Sequence, residues 1–429
     1  MINLQYMAIK VFWLSSINPL QTELSKTGTW IQSMYRALKG SEDVIVCAVA
    51  AFTTEDNFAI DRSDQQTTIY SVPKGIRGKG GLPTNEVKEF ISKAIEEQQP
   101  DIIHVWGIEN YWGIVLLDKS YDKYQILVDI QGIKSLCANK FVAYGALPYT
   151  EIKKVYRLRE WFLPRFRIEE QRKEAEKWRK VETDILENCT YINTQSEWVR
   201  AALPMIVNSA HVEKTGIILR DSFMKSEPWY IKHEKNEDPV IFTIANNTPR
   251  KGLHITLQAL SIIRKKYPKV RLMVAGMKRP ENSLTKGGYS LYIYKMLRTL
   301  GLEGNVCFIG FVDETKLLSN LYQADIFVTS SFIETYCLSL AEALALGVPS
   351  VVAYSSALPE LIKEGNTGLL YPMGDVIMCA HQILKFLDDT KLSYEISHKA
   401  SLWYRTEKDP AGIVRQQILT YKKIMSEKQ

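Results

Sequence analysis

Two carboxylates eight residues apart, Glu334 and Glu342, stand in a run from Ser330 to Pro349 that reads as strand, loop, helix and a Gly-Val-Pro stop. Glu334 falls in the loop after the strand. Glu342 falls about one and a half turns into the helix, at ~3.6 residues per turn, so both side chains can face one crevice. The helix start near Cys337 and Leu338 offers unpaired N–H groups and a partial positive charge, which can seat a diphosphate without a metal. One carboxylate can then accept hydrogen bonds from vicinal ribose hydroxyls while the other reaches a sugar. The spacing alone does not carry this reading, because Glu89 with Glu97 and Glu174 with Glu182 share it and read as solvated helix faces.

A second cluster, Ala245 to Gly252, holds Arg250 and Lys251 between a strand and a helix starting near Leu253. Adjacent cations at a helix N-terminus oppose its dipole by ~0.3–1 kcal/mol each unless an anion offsets them. A diphosphate is the natural anion, and two solvated basic residues are the alternative. In the first half, Leu24 to Trp30 follows a strand and opens a helix. There Gly28 lets backbone approach a ligand closely and Thr27 can act as a cap, although a loop glycine is also an ordinary turn.

The elements that must position these groups alternate. In the second half, strands are expected at Val240–Ala245, Val270–Ala275, Val306–Gly310, Asp325–Ser330 and Ser350–Ala353, with helical stripes such as Leu253, Leu257, Leu260 and Ile263 between them. The first half gives strands at Lys10–Leu14, Asp43–Val49, Thr67–Val72, Asp101–Val105, Gln125–Ile130 and Tyr191–Thr194, and helices at Trp30–Leu38 and Glu86–Gln98. βαβα order implies α/β architecture with doubly wound parallel sheets, and ligands in such sheets bind at the carboxyl ends of the strands. At 429 residues the chain exceeds one ordinary core. The expected division is an N-terminal Rossmann-like domain at 1–224, a linker at 225–239, a C-terminal Rossmann-like domain at 240–405 and a helix at 406–429 able to pack back on the N-terminal domain.

Composition narrows the class further. With 46% hydrophobic and 24% charged residues the chain is a folded protein, and its six scattered cysteines suggest neither a disulfide framework nor a zinc site. The N-terminus lacks a signal-peptide pattern and no apolar run reaches ~20 residues, so a cytoplasmic location is expected. The net charge of +6 is mild and concentrated. Residues 151–180, long, helical and aromatic-bearing, hold 11 Lys and Arg against 6 Glu. That surface suits peripheral association with an anionic membrane face, or is simply solvated. Nucleic acid is not an expected partner. Gly75 to Gly81 lacks the dinucleotide-binding order, and there is no phosphate-binding loop of the Gly-x4-Gly-Lys type.

The stretch Ser331 to Pro349, followed by Leu358-Pro359-Glu360-Leu361-Ile362 and Glu364 to Pro372, resembles the signature of the family 4 retaining glycosyltransferases. The resemblance implies a GT-B fold, two Rossmann-like domains facing a central cleft. It also implies transfer of a sugar from a nucleotide-diphosphate sugar to a glycan or lipid-linked acceptor hydroxyl, with retention, in polysaccharide or glycolipid biosynthesis. No metal and no cofactor are implied, consistent with the absence of an Asp-x-Asp pair. Carried over by position, Glu334 is similar to the glutamate beside the donor sugar, Glu342 to the ribose-binding one and Lys251 to the diphosphate clamp. Gly28 resembles the family's first-loop glycine. Thr335-Tyr336-Cys337 replaces the usual Gly-Phe-Gly, so Tyr336, Cys337 and Leu338 are expected to donate backbone N–H groups to the donor. The usual arginine falls on Asn246, with Arg250 the compensating candidate. His104 and Gln131 lie at strand ends similar to the family's sugar pocket. Gln131 stands where a histidine is common, and His104 equally fits a satisfied core position. Competing readings are a sugar phosphorylase or nucleotide-sugar epimerase on the same plan, and a catalytically idle sugar-nucleotide sensor.

Overall fold

The computed structural model describes residues 8–21, 29–207, 211–233 and 238–427. The chain forms two compact units. The first comprises residues 1–133, 178–220 and 408–429, and the second comprises 134–177 and 221–407.

The first unit is built on β1 (Ile9–Ser15), β2 (Val44–Thr53), β3 (Ala59–Asp61), β4 (Thr68–Pro73), β5 (Ile102–Trp106), β6 (Gln125–Asp129), β7 (Tyr191–Thr194) and β8 (His211–Lys214). Their order is β3-β4-β2-β1-β5-β6-β7-β8, parallel except for the antiparallel β3–β4 pair. Val11, Phe12, Trp13 and Leu14 of β1 are fully buried, as expected of a central parallel strand covered on both faces. β3 and β8 escape the sequence reading: β3 is a three-residue exposed ribbon, and β8 contains His211, Glu213 and Lys214, which carry no apolar alternation. The helix Pro410–Ser426 starts with Pro at its first turn behind the cap Asp409, whose Oδ2 accepts from Gly412 N at 2.9 Å. It belongs to this unit, and Tyr421 and Ile424 are wholly buried.

The second unit contains β9 (Val240–Ile244), β10 (Arg271–Ala275), β11 (Val306–Gly310), β12 (Ile326–Thr329), β13 (Ser350–Tyr354) and β14 (Leu369–Pro372), all parallel, in the order β11-β10-β9-β12-β13-β14. The direction of winding reverses between β9 and β12, and the loops that follow these two strands therefore open beside each other. Helix Leu338–Leu346 is apolar almost all round and buries Leu340 through Leu346, the pattern of a helix packed on more than one side. Gly347 ends it in the left-handed region at φ +85, where a Cβ would lie 2.6 Å from the Ser397 carbonyl oxygen. Ser401 Oγ and Arg405 Nε, on the helix Thr390–Glu407, both donate to Ala345 O.

Two stretches differ from the sequence reading. Residues 225–239, expected as a linker, form part of the second unit: Trp229 is buried and its indole N–H donates to Ala324 O at 2.8 Å. One tryptophan anchors a segment whose surrounding Lys, Glu and Asn hide it from any apolar period. Residues 134–177, expected in the N-terminal domain, also belong to the second unit. Glu160 is the anchor there. Its carboxylate is completely buried and accepts from Arg159 Nε at 2.8 Å, from Gly287 N at 2.8 Å and from Arg157 N at 3.1 Å. Glu182, expected on a solvated face, is also fully buried.

Candidate functional site

The loop after β9 turns through Pro249–Lys251 and reaches Gly252 at φ +67. A Cβ on Gly252 would overlap the Ser330 carbonyl oxygen at the end of β12, so only glycine lets the two strand-end loops approach this closely. Phe332 N donates to Arg250 O at 2.8 Å, and Ser330 Oγ is held between Thr256 Oγ1 (2.8 Å) and Tyr371 OH (2.7 Å). The loops carrying the cations and the first carboxylate are thus one hydrogen-bonded assembly.

Within it Lys251 Nζ meets Glu334 Oε1 at 2.5 Å, with the side chains 27% and 13% exposed. Burial works against the Lys251 ammonium, but the Glu334 carboxylate outweighs it and holds the lysine above its ordinary range. The Glu334 backbone is fixed from the other side: its N–H donates to Ser356 Oγ at 2.7 Å and its carbonyl accepts from Ala357 N at 3.2 Å. Ser356 sits at φ +43, a non-glycine residue in the left-handed region beside a charged side chain. Nothing in its spacing singles it out in the sequence.

The helix after Glu334 starts from Cys337, which is extended (φ −127, ψ 94) and supplies no side-chain cap. Burial pushes the Cys337 thiol up to about 11, so it stays a neutral thiol beside Lys251. Tyr336 OH lies 3.0 Å from Tyr404 OH, and burial, chiefly, raises both phenols. Glu342 is 4% exposed and contributes electrostatically to the Tyr404 shift, so the second carboxylate lies toward this tyrosine pair. Tyr404, over sixty positions away in sequence, is the site neighbour that spacing could not reveal.

The remaining expected residues are distributed differently. Arg250 turns its guanidinium to the thiol of Cys137, with Nη1 to Sγ at 3.1 Å, rather than joining Lys251 at Glu334. Asn246 Oδ1 accepts from Thr248 Oγ1 at 2.6 Å, closing the loop on itself. Gly28 lies outside the described residues. In the first unit His104 is fully buried in β5, stacked 3.9 Å from the Trp106 ring, with Nδ1 2.7 Å from Tyr421 OH. Burial holds it well below the usual histidine range, so it is a neutral core imidazole, the alternative already apparent for a lone histidine on a strand. Gln131 follows β6 beside Glu109. A Cβ added to Gly107, at φ +96, would meet Glu109 Oε2 at 2.6 Å and the Gln131 amide at about 3.4 Å. Glu109 was missed because a single acid before an Asn-Tyr-Trp run gives no pattern. Beneath them Asp129, 1% exposed, accepts from Asn193 Nδ2 at 2.6 Å and from Gln195, and burial pushes its carboxyl up to about 7. Among the described residues no group of three or more His, Cys, Asp or Glu is placed to hold a metal ion. No helix of the described residues is long and apolar enough to cross a membrane.

Residues 227–403 match the family described as glycosyl transferases group 1. Among curated proteins, the chain is 32% identical over 108 residues to N-acetyl-alpha-D-glucosaminyl L-malate synthase of Bacillus anthracis, covering 25% of this chain and 28% of that one. It is 25% identical over 165 residues to phosphatidyl-myo-inositol mannosyltransferase of Mycobacterium leprae, covering 38% and 41%. The chain thus spans less than half the length of these curated relatives. Among solved structures, sucrose-phosphate synthase from Thermosynechococcus elongatus superposes with a TM-score of 0.73 at 17% identity, covering 98% of this chain and all of that one. HepE of Anabaena, solved with UDP and glucose, superposes at 0.64 and 16% identity over 96% and 99%. The fold class is GT-B, and the match to the glycosyl transferases group 1 family lies within the second unit.

Proposed function

We propose that the protein is a retaining, metal-independent glycosyltransferase that moves a sugar from a nucleoside diphosphate to an acceptor hydroxyl in polysaccharide or glycolipid synthesis. The observation that carries this reading is the Lys251–Glu334 pair, held at the winding reversal of the second sheet beside an uncapped helix start. The group 1 match over the same residues and the UDP-bound neighbour support it.

In this reading Lys251 and the N–H groups after Cys337 take up the charge that grows on the departing diphosphate. The bond from the anomeric carbon to the phosphate oxygen breaks, and the acceptor oxygen bonds to that carbon on the same face. The acceptor proton passes to the departing phosphate oxygen. Diphosphate competes for Lys251 and frees Glu334, which then orients sugar hydroxyls and stabilises positive charge on the ring. Glu342 holds the ribose hydroxyls. Glu334→Gln should lower kcat by roughly 10²–10³ while nucleotide affinity changes little. Unaltered turnover in a donor assay would reject the role.

A sugar-nucleotide sensor is the second reading, favoured by Asn246, which supplies no positive charge and is occupied with Thr248. Binding of a nucleotide sugar with no acceptor-dependent release of nucleoside diphosphate would select it.

A further inference from the structure

A pocket of about 440 Å³ lies wholly within the second unit, between the 134–177 segment, the loop after β9 and the turn at Gly287 and Gly288. Lys134, Arg159, Arg172 and Arg250 supply four cations to its wall, with Asn247 and Tyr289 among the polar lining. Glu160 neutralises Arg159 and is saturated by that guanidinium and by backbone amides, so it has little capacity left for the other cations. Arg250 gives a hydrogen bond to a thiol, a weak acceptor, and Arg172 reaches the Ala138 carbonyl at 3.3 Å while its Nε is buried without a hydrogen-bond partner. Arg172 also meets the Tyr144 hydroxyl, and half-buried guanidinium donors matched only to a thiol, a phenol and a long carbonyl contact are better completed by an anion with several oxygens. The rigidity of the walls points the same way. Gly288 N donates to Val155 O at 3.2 Å, His254 Nε2 lies 2.8 Å from Gly145 O, and a Cβ at Gly287 or Gly145 would strike backbone oxygens. The cavity is preformed rather than a gap between loose segments.

We propose that this pocket binds a phosphate or diphosphate group, and that under the transfer reading above the group belongs to the acceptor. Its cations are distinct from the Lys251–Glu334 pair, which leaves the donor diphosphate its own seat. Beside it Leu158, Trp161 and Phe162 are 56%, 52% and 77% exposed among Arg157, Arg165 and Arg167, so an apolar tail on the phosphate would also find a surface. The phosphate can therefore come from a soluble sugar phosphate or from a lipid phosphate.

The test is calorimetric titration of the full chain with inorganic pyrophosphate in the Lys251→Gln background, which disables the donor seat. Binding should persist there and weaken at least about tenfold when Arg172→Gln is added, with Arg172→Lys restoring part of it. Loss of all binding in Lys251→Gln alone, or identical binding with and without Arg172→Gln, overturns the assignment. Circular dichroism and melting of each variant separate these outcomes from misfolding. A hexose phosphate in solution and a polyprenyl phosphate in phosphatidylcholine vesicles, compared through the same variants, then tell the two sources apart. Arg172→Gln should raise the KM for the phosphate that binds and leave the KM for the donor unchanged. If Glu334→Gln leaves turnover intact while the Arg172 result stands, the transfer reading falls and the anion site remains.

Discussion

At the ends of β9 and β12, Lys251 and Glu334 keep 27% and 13% of their side-chain surface exposed, whereas in β5 and β6 His104 and Asp129 keep 0% and 2%. Both pairs join an acid to a base within a parallel sheet of the same winding. In the second unit the two groups touch at 2.5 Å and the lysine is held above its ordinary range. In the first they stand 3.9 Å apart, burial dominates, and each is driven toward its neutral form. Partial exposure keeps charge, because water and a close counter-charge share the cost of desolvation; complete burial with imperfect pairing removes it. Charged chemistry is therefore to be sought at the second switch point, and the first pair reads as a neutral polar network inside a core.

The sharpest way to break this contrast is at Gly252. Gly252→Ala forces a Cβ into the Ser330 carbonyl and strains a residue at φ +67, and should cost about 3–4 kcal/mol or push Lys251 off Glu334. Gly310, at φ +69 with nothing within 4 Å of its Cβ position, is the control, and its alanine variant should lose only about 1 kcal/mol in a denaturant titration. Equal losses would show that the close approach of the two loops does not matter.

The buried pair predicts a pH dependence. The Asp129 carboxyl is raised from an unfolded value of ~3.9 to about 7, so its stabilising contribution is complete below pH ~4 and is lost as pH rises through 7. Asp129→Asn cannot titrate. The stability of the native protein relative to this variant should fall by up to about 4 kcal/mol between pH 4 and ~7.5, on top of a constant offset from the altered hydrogen bonds to Asn193 and Gln195. A pH-independent difference in melting would mean that the carboxylate is charged in the core.

The smallest effect separates two adjacent cations. Lys251→Gln should weaken nucleoside diphosphate binding by about 10- to 100-fold and leave binding of the unphosphorylated nucleoside unchanged. Arg250→Gln, which removes a group directed at Cys137, should change nucleoside diphosphate affinity by no more than about threefold. Calorimetry on both variants reads the difference directly.

Much of the architecture was open to inspection in the chain alone. Every strand expected there has a counterpart, since buried parallel strands are short β-branched runs between helical stripes, and that pattern is local. The order Ser331 to Pro349, with its later Gly-Asn-Thr-Gly segment, carried the fold class. What escaped were elements without a local apolar rhythm: β3, β8 and β14, and the buried Trp229 within a polar stretch. The membership of residues 134–177 in the second unit depends on Glu160 finding Gly287, more than a hundred positions away. No periodicity encodes such a meeting.

The sequence by itself determined which residue types lie at each strand end and that Lys251 and Glu334 each follow a strand of the second half; that the two strands are neighbours came from the structure. Only the tertiary structure decided how like residues divide their work. Arg250 and Lys251 are adjacent yet point to different partners, and His104 and Asp129 are ionisable yet buried toward neutrality. The physical reason is that backbone propensity acts over a few residues, whereas charge state and hydrogen-bond partner are set by groups brought close from distant parts of the chain.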